Sequence, residues 1–253
     1  MEGVGGIMLR EQLSRGTAEY AEARQLLTGE VNAAIQGAFD GGATEVIVRD
    51  AHGTGFNIVA EQFDVRARLL QGAGIPDRFP ELDGASGLIL LAYHARAGTQ
   101  AAVCDHTMSS LAWFRYELCG GDVGEVGIDA ALAGCNNVPV ILVTGDDKLC
   151  AEAAALLPGV GTCETKIGQA RHAAIHRAPA ECRRLIREAT ANAVKAPRPA
   201  LFRPEAPYEA RVTHVLSSGA DGRRYDERTV RLDARTVAHR GGDLRDVIER
   251  SLR

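Results

Sequence analysis

Three short, unbroken apolar runs constrain this chain most: VIV at 46–48, LILLAY at 88–93 and VPVILV at 138–143. Runs of this kind, without polar alternation, mark strands covered on both faces. The segments between them carry helical spacing instead. Leu27, Val31, Ala34, Ile35 and Ala38 recur at three- and four-residue intervals, and Gly41-Gly42 stops the pattern. Further helices are expected from Asp122 to Ala133, ending near Gly134, from Asp147 to Leu157, closed by Pro158-Gly159, and from Glu181 to Val194. Buried strands alternating with amphipathic helices predict an α/β protein, three-layered, with a largely parallel central sheet and helices on both faces.

The stretch APRPALFRPEAPY holds four prolines and reads as a linker. It divides the chain into an α/β portion, residues 1–195, and a smaller C-terminal α+β portion, residues 208–253. In the latter, YEARVTHVLSS and ERTVRLDA alternate like half-exposed strands, and a last helix spans Gly242 to Leu252. A net charge of −4 and a pI near 6.0 argue against nucleic acid as a partner. No apolar run is long enough to span a bilayer, and the first residues lack the pattern of a secretory signal. Six scattered cysteines without a CxxC pair suggest reduced, mostly buried thiols and a cytoplasmic protein.

Open α/β sheets bind ligands beyond the carboxyl ends of their strands. RDAHG after the first run places Asp50 and His52 there, and HARAG after the second places His94. CDHTM follows with His106, GEVG puts Glu125 at a helix start, and Glu2 lies in a glycine-rich turn. Imidazoles and carboxylates gathered at one sheet edge suit zinc or a similar divalent ion. Each has an ordinary alternative: Glu125 as a charge on a helix dipole, Asp50 as a turn cap, a single histidine as a packed side chain. His172, His176, His214 and His239 fall outside the pattern and read as solvated or structural. MEGVGG lacks the spacing and preceding strand of a nucleotide loop. Asp146 and Asp147 in TGDDK read as a helix cap before a Mg²⁺ site.

The stretches MEGVGG, RQLLTGEVNAAIQGAFDGGATEVIVRDAHG, LLAYHARAG, DHTM, GEVGIDAALAG, VPVILVTGDD and ETKIGQARHAA resemble, in content and order, the zinc-dependent D-aminopeptidases of the dipeptide-transport (DppA) type. The resemblance runs to about Pro179 and is looser beyond the linker. It implies a dinuclear zinc centre with Glu2, His52, His94 and Glu125 as ligands and His106 in the nucleophile position. It also implies removal of an N-terminal D-residue from short peptides, and a hollow homo-oligomer. In the family the turn reads Asp-Met-Glu-Gly after a first strand, and that aspartate bridges the metals. Met1 takes the methionine place, so the aspartate would lie upstream, with two zinc ions expected in an extended chain and one or fewer without it. An upstream start is the expectation, because a buried central strand is costly to lose. Two other readings stand beside the enzyme: a metal-poor protein that binds a peptide or amine, and a metal-dependent amidohydrolase with a non-peptide substrate.

Overall fold

The Thr17 hydroxyl accepts the amide of Tyr20 and so starts the longest helix, α1 (Ala18–Asp40), which ends at Gly41. The structure, a computed structural model, describes residues 1–53, 55–75 and 77–253. After α1 come β1 (Ile47–Arg49), β2 (Arg68–Leu70), β3 (Leu88–Leu90), β4 (Trp113–Leu118), β5 (Gly121–Asp122) and α2 (Glu125–Cys135). Then follow β6 (Val140–Asp146), α3 (Asp147–Leu156), β7 (Gly161–Ala170), β8 (Ala173–His176) and α4 (Pro179–Lys195). The C-terminal part holds β9 (Tyr208–His214), the short α5 (Ser218–Asp221), β10 (Thr229–Arg231), β11 (Thr236–Gly241) and α6 (Leu244–Ser251).

The central sheet runs β3-β6-β7-β8, parallel except for β8. All seven residues of β6 are buried, as its apolar run demands. On one face Leu142 and Cys163 pack with Ile186 of α4 and Ala33 and Ala34 of α1. These two helices approach closely: a Cβ on Gly37 would lie 2.3 Å from the Arg187 carbonyl oxygen. On the other face Leu90 and Val143 meet Val126 and Ala130 of α2 and Leu149 of α3. The fold is therefore α/β, with a sheet between two helical layers.

Of the elements that depart from the sequence reading, among them the unassigned β2, β7, β8 and β11, three shape the sheets most. The VIV run forms a strand that is only half-buried and pairs with β2 alone among the described residues. Val46 and Val48 turn toward the α1 cluster, while Arg49 occupies the other face of the strand. The helix expected from Asp122 begins at Glu125, because Asp122 is held in β5 by Arg115 and Gly124 takes the capping place. Residues 113–118, unassigned by the sequence reading, form β4. Trp113, Tyr116 and Leu118 are buried there, and β4 pairs antiparallel with β9. Together with β5 it completes a sheet in the order β10-β11-β9-β4-β5, covered by Leu244, Val247 and Ile248 of α6. The strands beyond the linker thus share a sheet with residues 113–122. All six cysteines are free thiols, and Cys104, Cys163 and Cys182 are the buried half rather than a majority. Among the described residues no helix is long and apolar enough to cross a membrane.

Candidate metal centre

The centre gathers at the carboxyl end of β3, around the glycine-rich turn at residues 2–6. His94 follows β3 by four residues, and Ala92 before it has φ +62, which turns the chain sharply. Gly3 fits because no side chain could: an added Cβ would lie 2.1 Å from the Tyr93 carbonyl oxygen. Its amide donates to Ala92 O at 3.1 Å, which brings Glu2 beside His94. Glu125 opens α2, with no side chain capping the helix ahead of it.

All five residues singled out in the sequence come together. Glu2 Oε1 lies 3.0 Å from His52 Nε2, while the Met1 ammonium donates to Oε2 at 2.7 Å. Glu125 Oε1 lies 3.2 Å from His94 Nε2 and 3.7 Å from His106 Nε2, and accepts the Met108 amide at 2.8 Å. Glu2, His94 and His106 each offer a donor atom within 4.8 Å of the others. Glu2 thus bonds His52 on one side and lies within 4.8 Å of the His94–His106 pair on the other.

The donor set fits zinc on two counts. Ligands about 2.0–2.1 Å from a tetrahedral ion stand about 3.3 Å apart, close to the 3.0 Å between Glu2 and His52 and the 3.2 Å between Glu125 and His94. Each imidazole also has its Nδ1 occupied by an oxygen: Asn57 Oδ1 at 3.4 Å for His52, Ala95 O at 3.1 Å for His94 and Cys104 O at 2.9 Å for His106. That leaves every Nε2 facing the shared space, the arrangement in which an outer hydrogen bond sets tautomer and ring orientation of a metal-binding histidine.

The electrostatics point the same way. Burial alone would lift the Glu2 carboxyl, yet the Met1 ammonium first, then His52 and His94, hold it well below the usual range. Burial also opposes Glu125, and His94, Arg78 and His106 outweigh it and keep it ionised. Burial pulls the His94 imidazole down, but Glu125 overcomes this and brings it up to about 9. Burial and the charge of His94 lower His106. A buried carboxylate pair that holds a proton on a neighbouring imidazole offers a divalent cation the same attraction.

The remaining candidates have structural roles. Asp50 accepts the Asn57 amide at 2.6 Å and Asn57 Nδ2 at 2.7 Å, shaping the loop that carries His52. Asp146 caps α3 by accepting the Leu149 amide, as read from TGDDK. His214 and His239 are buried in the C-terminal sheet, His172 is exposed, and His176 accepts the Gly6 amide. The sequence reading missed Lys166, fully buried beneath the Glu2 turn, and the network of Tyr93, Arg78 and Asp129 beside Glu125. Lys166 stands in ETKIGQ between Thr165 and Ile167, where no local pattern marks it as buried.

The chain is similar to proteins of known activity. A D-aminopeptidase of Bacillus subtilis (strain 168) is 35% identical over 199 residues, covering 77% of this chain and 71% of that protein. The solved structure described as the Zn-dependent D-aminopeptidase DppA from Bacillus subtilis, a self-compartmentalizing protease, superposes with a TM-score of 0.94 at 30% identity. It covers 100% of this chain and 93% of that one. The family Peptidase_M55, described as D-aminopeptidase, matches residues 1–251, and this chain belongs to it.

Proposed function

We propose that Glu2, His52, His94 and Glu125 hold zinc, up to two ions per chain, in an enzyme that releases N-terminal D-residues from short peptides. The observation that carries this reading is the convergence of Glu2, His94 and His106 with each imidazole Nδ1 already occupied. When bound, the metal supplies Lewis-acid polarisation of the scissile carbonyl and acidifies water. The chain's own residues do the rest. Glu2 and Glu125 provide the negative charge that holds a cation and that attracts a substrate's α-ammonium. Glu125 is itself fixed by the Met108 amide. His106, tied at Nδ1 to Cys104 O, presents Nε2 to the site, where it attacks the carbonyl or moves a proton.

All these groups come from residues 1–195, read as the catalytic portion, with residues 208–253 as a smaller appended one. The relative's description as self-compartmentalizing supports a homo-oligomer here as well. Leu111, Phe114 and Leu216 are 70%, 60% and 67% exposed, and the Val215 amide bonds to Ala112 O, so these apolar groups stand at one edge of the second sheet. That edge, including residues beyond Pro207, is the contact we assign to neighbouring copies. A cytoplasmic location fits the free thiols.

Metal analysis of the purified protein, with a panel of short peptides that begin with D- or L-residues, tests the reading. Zinc retained through dialysis and cleavage confined to D-first peptides are expected. Cleavage that survives complete removal of zinc, or a preference for L-first peptides, overturns it.

A further inference from the structure

The turn that carries Glu2 has no secondary structure of its own: residues 2–6 are turn and bend. Three of those five residues are glycine, the residue with the most backbone freedom to lose on ordering. A ligand held within a few tenths of an ångström needs a fixed main chain beneath it. Here that support comes from side chains of other elements, and each one grips a peptide group. The Lys166 ammonium, on β7 and 0% exposed, donates to the carbonyls of Glu2, of Val4 at 2.9 Å and of Ile7 at 2.5 Å. The hydroxyl of Thr165, next along the strand, lies 2.6 Å from Gly3 O. Glu30 Oε1 of α1 accepts the Gly5 amide at 2.8 Å, and His176 Nδ1 of β8 accepts the Gly6 amide at 3.0 Å.

Lys166 dominates this set. An ammonium has three donors, and all three are used on one loop. Burying it costs several kcal/mol, and an apolar side chain of similar volume fills such a place more cheaply. In some proteins a buried charge of this kind is kept because it specifies one conformation. Here its three acceptors all lie on residues 2–7, the Glu2 turn and the residue that follows it. Binding carbonyls at the start of the turn, within it and just after it, the ammonium triangulates the segment as strand pairing would in a sheet.

We propose that Lys166, assisted by Thr165, is the positioning residue that holds the Glu2 carboxylate in place for metal. The inference rests on Glu2 being a zinc ligand, and the experiment separates the two. Zinc affinity is measured by competition against a chromophoric chelator for the parent, Glu2→Gln, Lys166→Met and the double variant. Urea midpoints are followed in parallel. Lys166→Met keeps the side-chain length and removes every donor. It is expected to weaken zinc about 10–100-fold, the usual cost of losing a partner behind a metal ligand. The double variant is expected to bind no more weakly than Glu2→Gln alone, because both changes remove one ligand's contribution. A lysine that served stability alone would shift the urea midpoint and leave zinc affinity of the folded protein within twofold of the parent, which overturns the proposal. A double variant weaker than Glu2→Gln by the full factor that Lys166→Met costs alone also overturns it, because the two side chains then act independently. Should Lys166→Met fail to fold, Thr165→Val decides: weaker zinc binding at a parental urea midpoint supports positioning, and unchanged affinity overturns it. Parental affinity in Glu2→Gln removes Glu2 from the metal, and the positioning role falls with it. Zinc lost in Glu2→Gln but kept in Lys166→Met sinks the positioning role alone.

Discussion

The imidazoles of His94 and His106 are stacked, with ring centroids 3.8 Å apart and planes 14° from parallel. Both turn Nε2 toward Glu125, yet their surroundings differ. His94 is 5% exposed and sits against Glu125 at 3.2 Å; His106 is farther, at 3.7 Å, and hangs from Cys104 O. The pair therefore divides into a buried imidazole engaged by a carboxylate and a second one free to approach a substrate. His94→Ala is expected to lose zinc and activity together. His106→Ala is expected to keep at least one zinc per chain while kcat falls about 10²–10⁴-fold. Metal content by elemental analysis beside single-turnover rates checks both, and full zinc with parental kcat in His106→Ala removes that residue from the chemistry.

Asp129 is the hub of the support behind Glu125. It accepts both arms of Arg78, with Nη2 to Oδ2 at 2.9 Å, and the Tyr93 hydroxyl at 2.6 Å. Asp129→Ala takes the acceptor from a half-buried guanidinium and a half-buried phenol and leaves the space of a fully buried carboxylate. A loss of about 3–5 kcal/mol in urea unfolding is expected, with weaker zinc binding because Arg78 also approaches Glu125 to 3.8 Å. A loss below 1 kcal/mol contradicts the role given to this network.

The C-terminal sheet carries an acid-sensitive group. Burial, followed by the charges of Arg223 and Arg250, pushes His239 down to about 4. His214 on the neighbouring strand is lowered too, by burial first and then by the charge of Arg223. A depressed imidazole leaves the unfolded chain binding more protons than the folded one. Stability is thus full above the unfolded pKa near 6.5 and declines as pH falls toward 4. His239 alone accounts for a loss of the order of 3 kcal/mol across that window. Thermal melts of chelator-treated protein from pH 7 to 4.5 test this, since metal release then plays no part. His239→Gln is expected to flatten the profile, and an unchanged slope rules His239 out as its source.

Gly37 is the contact point of α1 and α4. An alanine there places its Cβ 2.3 Å from Arg187 O and 2.8 Å from Thr190 Cβ, so a helix must shift. Helix propensity alone would favour alanine by up to ~1 kcal/mol. Overpacking outweighs it, and Gly37→Ala is expected to destabilise by about 1–3 kcal/mol. A urea midpoint above the parent's would show that propensity wins.

The candidate metal site was legible because strand-tip chemistry is local. His52 and His94 each follow an apolar run within a few residues, Glu125 follows Gly124 at the start of a helix, and these patterns survive without any knowledge of the fold. The same holds for β6, whose burial on both faces is written in seven consecutive residues, and for α1, whose spacing and cap are contiguous in the chain. Covalent order and side-chain periodicity settle such features, since each depends on neighbours a few residues away. Tertiary structure decided the rest. WFRYEL has the composition of a strand, and Gly120-Gly121 turns it back onto the two-residue β5, but most of β4 is paired by β9, some 95 residues later. Arg78 reaches Asp129 across 51 positions, and Lys166 reaches Glu2 across 164. A lysine looks solvated in any sequence. It becomes a buried clamp only when the fold brings three carbonyls to within reach of its ammonium, a condition on distance that no local pattern records.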